Sequence, residues 1–190
     1  MIRLDVYNCK KSQMTKAAFL SFSIFSALFL SGGDVAGKSF FVTPPTKISI
    51  HNPESIEGRR NKTTISVAIS NKAGVSLSKI ILTQLPSINT WVWSSGEPTV
   101  YLGAYSLRKR GNQGLASMHY SAKRKSIEIN LNQEIYPGQQ VNIVLRGYNP
   151  NAGIYQWSTR MIPSGIDPVP YNGPILRLPV YKSDYSRGML

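Results

Sequence analysis

Tyr136-Pro-Gly-Gln-Gln-Val-Asn-Ile-Val-Leu-Arg-Gly-Tyr148-Asn-Pro-Asn-Ala-Gly153-Ile-Tyr-Gln-Trp-Ser-Thr-Arg-Met-Ile-Pro163 decides the fold class of this chain. Pro137-Gly138 is a turn dipeptide, because proline presets φ and glycine accepts positive φ. Gln140 to Arg146 alternates polar and apolar, with Val141, Ile143 and Leu145 on one face, the period-2 mark of a half-buried strand. Asn149-Pro150 and Ala152-Gly153 break the chain again. Ile154 to Ile162 resumes with β-branched and aromatic residues until Pro163. The stretch reads as strand, short connection, strand.

Outward from it the same pattern recurs. Lys47 to His51 alternates like an edge strand, and Asn52 to Lys62 reads as a polar loop. Thr63 to Ser70 carries Ile65, Val67 and Ile69 on one face, and Leu77 to Leu85 follows. Trp91-Val-Trp93 is β-prone, and Val100 to Leu102 is a short strand. Leu115 to Tyr120 and Ser126 to Leu131 form a hairpin around Ser121–Lys125. Ser164 to Gly173 reads as a turn-rich loop, and Ile175 to Tyr181 as the last strand. Seven to nine short strands with no 3.6-period segment predict an all-β fold, a single antiparallel Ig-like β-sandwich.

Before that domain, Lys10, Lys11 and Lys16 precede an uncharged apolar run over residues 17–30. Fourteen residues suit a signal peptide better than a span of about 20. The expected organisation is a signal peptide over 1–37, a sandwich over 38–182 and a tail over 183–190. Cleavage after Gly37 is preferred to cleavage after Gly33, and Met14 is an alternative start. An uncleaved leader would be the one membrane contact. The reading places the domain outside the cytoplasm, in the periplasm, envelope or medium. Cys9 is the only cysteine, so the body has neither a disulfide nor a thiolate nucleophile.

Charge is the unusual property. The chain has 22 Lys and Arg against 9 Asp and Glu; residues 38–190 keep 18 and 7 of them, a net of +11. Such a domain is drawn to anionic polymers or surfaces in a salt-dependent way. Three basic clusters stand out: Arg108-Lys109-Arg110, Lys123-Arg124-Lys125, and Arg59-Arg60 with Lys62. If their loops meet at one end of the sandwich, they make a cationic patch. Trp91 and Trp93, with Tyr101 and Tyr105, are candidates to stack on sugar rings, against the competing reading that they belong to the core.

The order of elements resembles a family. Phe40-Phe-Val-Thr-Pro-Pro45, Ala73-Gly-Val-Ser-Leu77, Leu82-Thr-Gln84 and Pro98-Thr-Val-Tyr-Leu-Gly103 match in order and spacing. So do Pro137-Gly138 before Leu145-Arg146, Asn149-Pro150-x-x-Gly153-x-Tyr155, Pro163-x-Gly165 and a closing Tyr181. Over roughly residues 40–181 the chain resembles the mostly cyanobacterial, secreted domain of unknown function 2808. It departs from that pattern in its indole pair and its basic hairpin tip. The resemblance implies an exported envelope or periplasmic domain and brings no catalytic residue.

Chemistry is sparse in the sequence. His51 and His119 lie far apart, and metal sites need three or four convergent ligands. Glu54, Glu57, Glu128 and Glu134 form no local carboxylate pair of the glycosidase kind, and Asp167 and Asp184 stand alone. No nucleophile elbow or phosphate loop is present. No cofactor or metal is expected, and the domain is read as non-enzymatic, with a hydrolase whose active site is assembled from distant strands as the minority alternative. The expected partner is an anionic envelope polymer (polysaccharide, lipopolysaccharide or peptidoglycan), with an envelope protein as the alternative. Nucleic acid is disfavoured by export and by the lack of a recognition motif.

Overall fold

A strand with one apolar face needs a second apolar face to bury against, and here a second sheet provides it. A computed structural model describes residues 37–94 and 96–183. Its strands are β1 (Lys47–His51), β2 (Arg60–Ala68), β3 (Leu77–Gln84), β4 (Thr99–Leu102), β5 (Ala116–Ser121), β6 (Ser126–Ile135), β7 (Gln140–Tyr148), β8 (Gly153–Pro163), β9 (Tyr171–Asn172) and β10 (Leu176–Val180). One sheet runs β1-β2-β7-β4. The other runs β10-β8-β3-β6-β5, with β9 against β8. Every strand pairing is antiparallel. This is the expected Ig-like sandwich. Residues 1–36 of the expected leader, with Cys9, Met14 and Gly33, and the tail from Asp184 lie outside the described residues.

The core sits between the sheets. Ile65, Val67, Val141, Ile143 and Leu145 of the first sheet face Ile80, Leu82, Ile127, Ile129, Tyr155, Trp157 and Met161 of the second. All are at most 1% exposed. Burying each large apolar side chain contributes roughly 1.5–3 kcal/mol before the entropy of ordering is counted.

The deciding stretch crosses the sandwich twice. Pro137-Gly138 carries the chain from β6 in one sheet to β7 in the other, with Gly138 at φ +86 and its N–H on the Ile69 carbonyl. Residues 149–152 then return it to the first of those sheets as β8. β7 and β8 are therefore not hydrogen-bonded neighbours; they face each other through the core. Other differences from the sequence reading are local. β2 begins at Arg60, inside the expected loop, because β7 runs on to Tyr148 and pairs with it. β6 extends to Ile135, and β9 lies within the expected loop over 164–173.

The second crossing is held by Asn149, which is 3% exposed. Its side-chain oxygen accepts from the Asn61 and Asn52 amides. Its own amide donates to the carbonyls of Glu54 (2.6 Å) and Ile56 (2.7 Å). Its backbone exchanges bonds with Arg59 and Gly58. The 52–59 segment is thus wrapped around one amide. Tyr155 completes the corner by donating its hydroxyl to the Asn151 carbonyl at 2.7 Å.

Glu57 ties the segment that follows β10 to this corner. Its carboxylate accepts the N–H groups of Ala152 (2.9 Å) and Ser183 (3.3 Å), and Tyr181 exchanges backbone bonds with Ser55 and Glu57. Ser183, the first residue of the expected tail, is therefore bonded to this corner. Bonds from Ala152 and then Ser183 hold the Glu57 pKa below its ordinary 4.5, aided by Lys182 and opposed by partial burial. A depressed carboxyl adds stability above its unfolded-state value and loses it as pH falls through the folded-state value. We expect the melting temperature to fall more steeply below about pH 4.5 in the native chain than in Glu57→Gln. Parallel melting curves for the two proteins would assign none of the acid sensitivity to this carboxylate.

Candidate functional site

The outer face of the four-stranded sheet is partly roofed. The segment 103–115, between β4 and β5, folds back across it rather than projecting into solvent. Asn142 of β7, fully buried, donates to the Gly103 carbonyl at 2.7 Å and accepts from Ser66 of β2 at 2.6 Å. Thr99 donates to the Arg110 carbonyl, and Val100 and Asn112 exchange backbone bonds at 2.9 Å. At the far edge Tyr105 stacks on His51 of β1, with ring centroids 3.8 Å apart at 14°. Between these anchors the Tyr101 hydroxyl bonds the backbone of Ser106. Gly111 permits the close approach. It sits at φ +70, and a Cβ there would lie 2.8 Å from the Val100 carbonyl oxygen. Burial pushes the His51 pKa down and the Tyr105 pKa up.

The strap holds Arg108, Lys109 and Arg110 beside an unroofed strip of the same face. There Lys62 of β2 stands directly opposite Arg146 of β7, and Arg60 stands opposite Tyr148. Directly opposed side chains in an antiparallel pair have Cβ atoms about 4.5–5.5 Å apart, and like charges so placed are destabilising. Among the described residues the ion pairs are Lys79–Glu128 (4.0 Å) and Arg124–Glu128 (3.4 Å). Among the described residues no carboxylate reaches ion-pair distance of Lys62, Arg146, Arg60 or the strap cations.

Lys62 and Arg146 floor two adjoining clefts. One, of about 320 Å³, is closed by Leu107 to Arg110 of the strap. The other, of about 730 Å³, is bordered by Arg60, Arg110 and Tyr148 and by the carboxylates Glu54 and Glu97. The Arg60 guanidinium lies 5.7 Å from the Tyr148 ring centre and donates to its hydroxyl at 3.3 Å. The Lys109 ammonium lies 5.6 Å from the Tyr101 ring centre.

The basic clusters singled out in the sequence divide between two faces. Arg60 and Lys62 join Arg108 to Arg110, while Arg59 is exposed just before β2 and offers its carbonyl to Asn149. Lys123, Arg124 and Lys125 form the β5–β6 turn of the other sheet. Arg124 engages Glu128 and lines a groove of about 460 Å³ with Arg160 and Asn172. One patch built from all the tips does not form, because the strap folds over one sheet and the hairpin extends the other.

The aromatic candidates need a correction. Trp91 is 1% exposed and Trp93 4%; they pack on each other at 5.4 Å and on Trp157 at 5.3 and 6.2 Å. Their area is spent on the core, so no ligand can stack on them. Tyr101 is buried and Tyr105 half-buried, both engaged with the strap. The exposed aromatic beside the cations is Tyr148, and it and Arg146 were not singled out in the sequence. His119 is exposed on β5 opposite Glu128. Among the described residues no three of His, Cys, Asp or Glu converge.

A family model described as "Protein of unknown function (DUF2808)" matches residues 38–177. No curated protein matches the chain. Among solved structures the chain is similar to an uncharacterised Nocardia farcinica protein with an immunoglobulin-like fold, at 12% identity and TM-score 0.45, covering 70% of this chain and 96% of that one. It is also similar to a collagen-binding domain of a Staphylococcus aureus adhesin, at 10% identity and TM-score 0.41, covering 73% and 99%. A third is the major pilin subunit of Bacillus cereus, at 10% identity and TM-score 0.44, covering 70% of this chain and 40% of the pilin.

Proposed function

The chain belongs to the DUF2808 family of unknown function, and from that premise we propose that it is an exported, non-enzymatic domain of the cell envelope that holds anionic polymers. The binding surface is the unroofed strip of the four-stranded sheet: Arg60, Lys62 and Arg146, with Arg108, Lys109 and Arg110 on the strap. The observation that carries this reading is the opposed pair Lys62–Arg146. A sheet that sets two cations against each other, with no carboxylate at ion-pair distance among the described residues, gives up stability. An anion laid along the strip recovers it. Export follows from the charge-flanked apolar run over residues 17–30, and the net basic charge of residues 38–190 raises the local concentration of polyanions.

The test is co-sedimentation of the purified protein with envelope fractions at low and high salt. Binding is expected to weaken by about tenfold or more as ionic strength rises from about 0.05 to 0.5 M. Lys62→Glu separates charge from folding. Opposite Arg146 it makes a favourable cross-strand pair, so stability should rise by about 0.5 kcal/mol while binding drops at least tenfold. Lys123→Ser with Lys125→Ser, on the other sheet, should leave binding as it is. Retention that survives high salt and Lys62→Glu would instead mean a protein partner in an envelope assembly, and the anion-binding reading would fall.

A further inference from the structure

Resting on that reading, we infer that the ligand is an acidic glycan, with a sugar ring seated in the larger cleft and its anionic group on the Lys62–Arg146 floor. The two clefts share that floor but differ in chemistry. The smaller is walled by the strap cations, which suits a bare anion. The larger adds Tyr148, 55% exposed, and is lined by Glu54 and Glu97 as well as by Arg60 and Arg110. Carboxylates are acceptors only; Glu54 accepts the Ile56 N–H at 3.3 Å, and the remaining oxygens can take donors from a ligand. Sugar hydroxyls and amines are such donors, whereas phosphate chains bring none and would be repelled.

Tyr148 supplies the remaining element. It lines the larger cleft and a neighbouring apolar one formed with Val92, Trp93 and Pro150, so it stands on the ridge between them. The Arg60 guanidinium lies over its ring and donates to its hydroxyl. An exposed aromatic side chain with donors and acceptors around it fits the C–H face of a pyranose and not a featureless polyanion. At about 730 Å³ the cleft is in the size range of small-ligand sites.

Titration of the purified protein with a galacturonic acid hexamer, inorganic polyphosphate of equal charge, a neutral maltohexaose and vesicles rich in an anionic phospholipid tests this. The uronate hexamer is expected to bind best, about tenfold tighter than polyphosphate. Tyr148→Ala should weaken uronate binding by about tenfold and polyphosphate binding by much less, with Tyr148→Phe restoring most of the uronate affinity. Glu97→Gln should likewise reduce uronate affinity while raising that for polyphosphate. Equal binding of uronate and polyphosphate, with Tyr148→Ala affecting both alike, overturns the glycan inference and leaves the anion surface standing. Preference for vesicles overturns it in favour of lipid. Failure of all three anions to bind removes the anion-binding reading itself.

Discussion

Asn149→Ala is expected to lower the unfolding free energy by about 3 kcal/mol, a large share of the roughly 5–15 kcal/mol that holds an ordinary domain together. The side chain makes four hydrogen bonds while 97% of it is shielded from water. Truncation leaves the Asn61 amide, itself 2% exposed, and the carbonyls of Glu54 and Ile56 without their partner. Each buried polar group left unsatisfied costs about 1–3 kcal/mol, partly relieved if water enters. Asn149→Asp is the sharper probe. It keeps the oxygen that Asn52 and Asn61 address but aims a second oxygen at two carbonyls, so at neutral pH it should cost at least as much as alanine. The effect should reach the candidate site, because the 52–59 segment leads into Arg60 and carries Glu54 to the larger cleft. Denaturant titration of both variants decides it. A loss below about 1 kcal/mol in each would mean the segment is held by its backbone bonds alone.

This corner also explains part of the motif Asn149-Pro150-x-x-Gly153-x-Tyr155 that marks the resemblance. Asn149 fastens the 52–59 segment and the Tyr155 hydroxyl closes back on Asn151. The motif therefore encodes how the chain changes sheets and says nothing about a ligand. The strands were legible for an equally local reason. Val141, Ile143 and Leu145 alternate with polar residues, and such alternation has one stable use, a sheet with one buried face. Which sheet each strand joins was not legible, because the corners at 137–138 and 149–152 look in sequence like ordinary hairpin turns.

Trp91-Val-Trp93 misled for a related reason. Its alternation is that of a strand with one face inward, and both indoles do point inward. Yet the Trp91 N–H is taken by the Gln84 side-chain oxygen at 2.8 Å, and the Gln84 amide binds the Asn89 carbonyl at 2.8 Å. A side chain stands where a neighbouring strand would, and only Trp93 bridges, to Gly147. The candidate site was half legible. Arg108 to Arg110, Arg60 and Lys62 announce themselves as charge, but Arg146 reads only as the polar end of an alternating run. Its place opposite Lys62 depends on the register of two strands far apart in sequence. That the 103–115 segment lies across the sheet rests on Asn142, Tyr105 and Gly111 meeting Gly103, His51 and Val100, and no local pattern signals it.

Trp91→Ala should be among the most destabilising single substitutions in the chain, at about 3–5 kcal/mol, or roughly 10–15 °C in melting temperature. Trp91 lies at the centre of the aromatic cluster, 5.4 Å from Trp93 and 5.3 Å from both Tyr155 and Trp157, the latter two edge-on. Alanine would leave a cavity between two sheets whose backbones cannot close on it, which adds to the lost transfer energy. Trp91→Phe should be far milder, at about 1 kcal/mol. The indole Nε1 is buried with no hydrogen-bond partner among the described residues, so phenylalanine keeps much of the ring and discards a donor that gains nothing. The protein's three tryptophans are all in this cluster, so Trp93 and Trp157 still report unfolding by fluorescence in either variant. A small loss for alanine would mean that the indole is not packed as described. A phenylalanine loss as large as that of alanine would mean that its N–H is satisfied in solution. Because Trp93 bridges to Gly147 beside Arg146 and Tyr148, the alanine variant should also bind the proposed acidic ligand less well at temperatures where it remains folded. The core and the proposed binding strip are mechanically one object, joined through the end of β7.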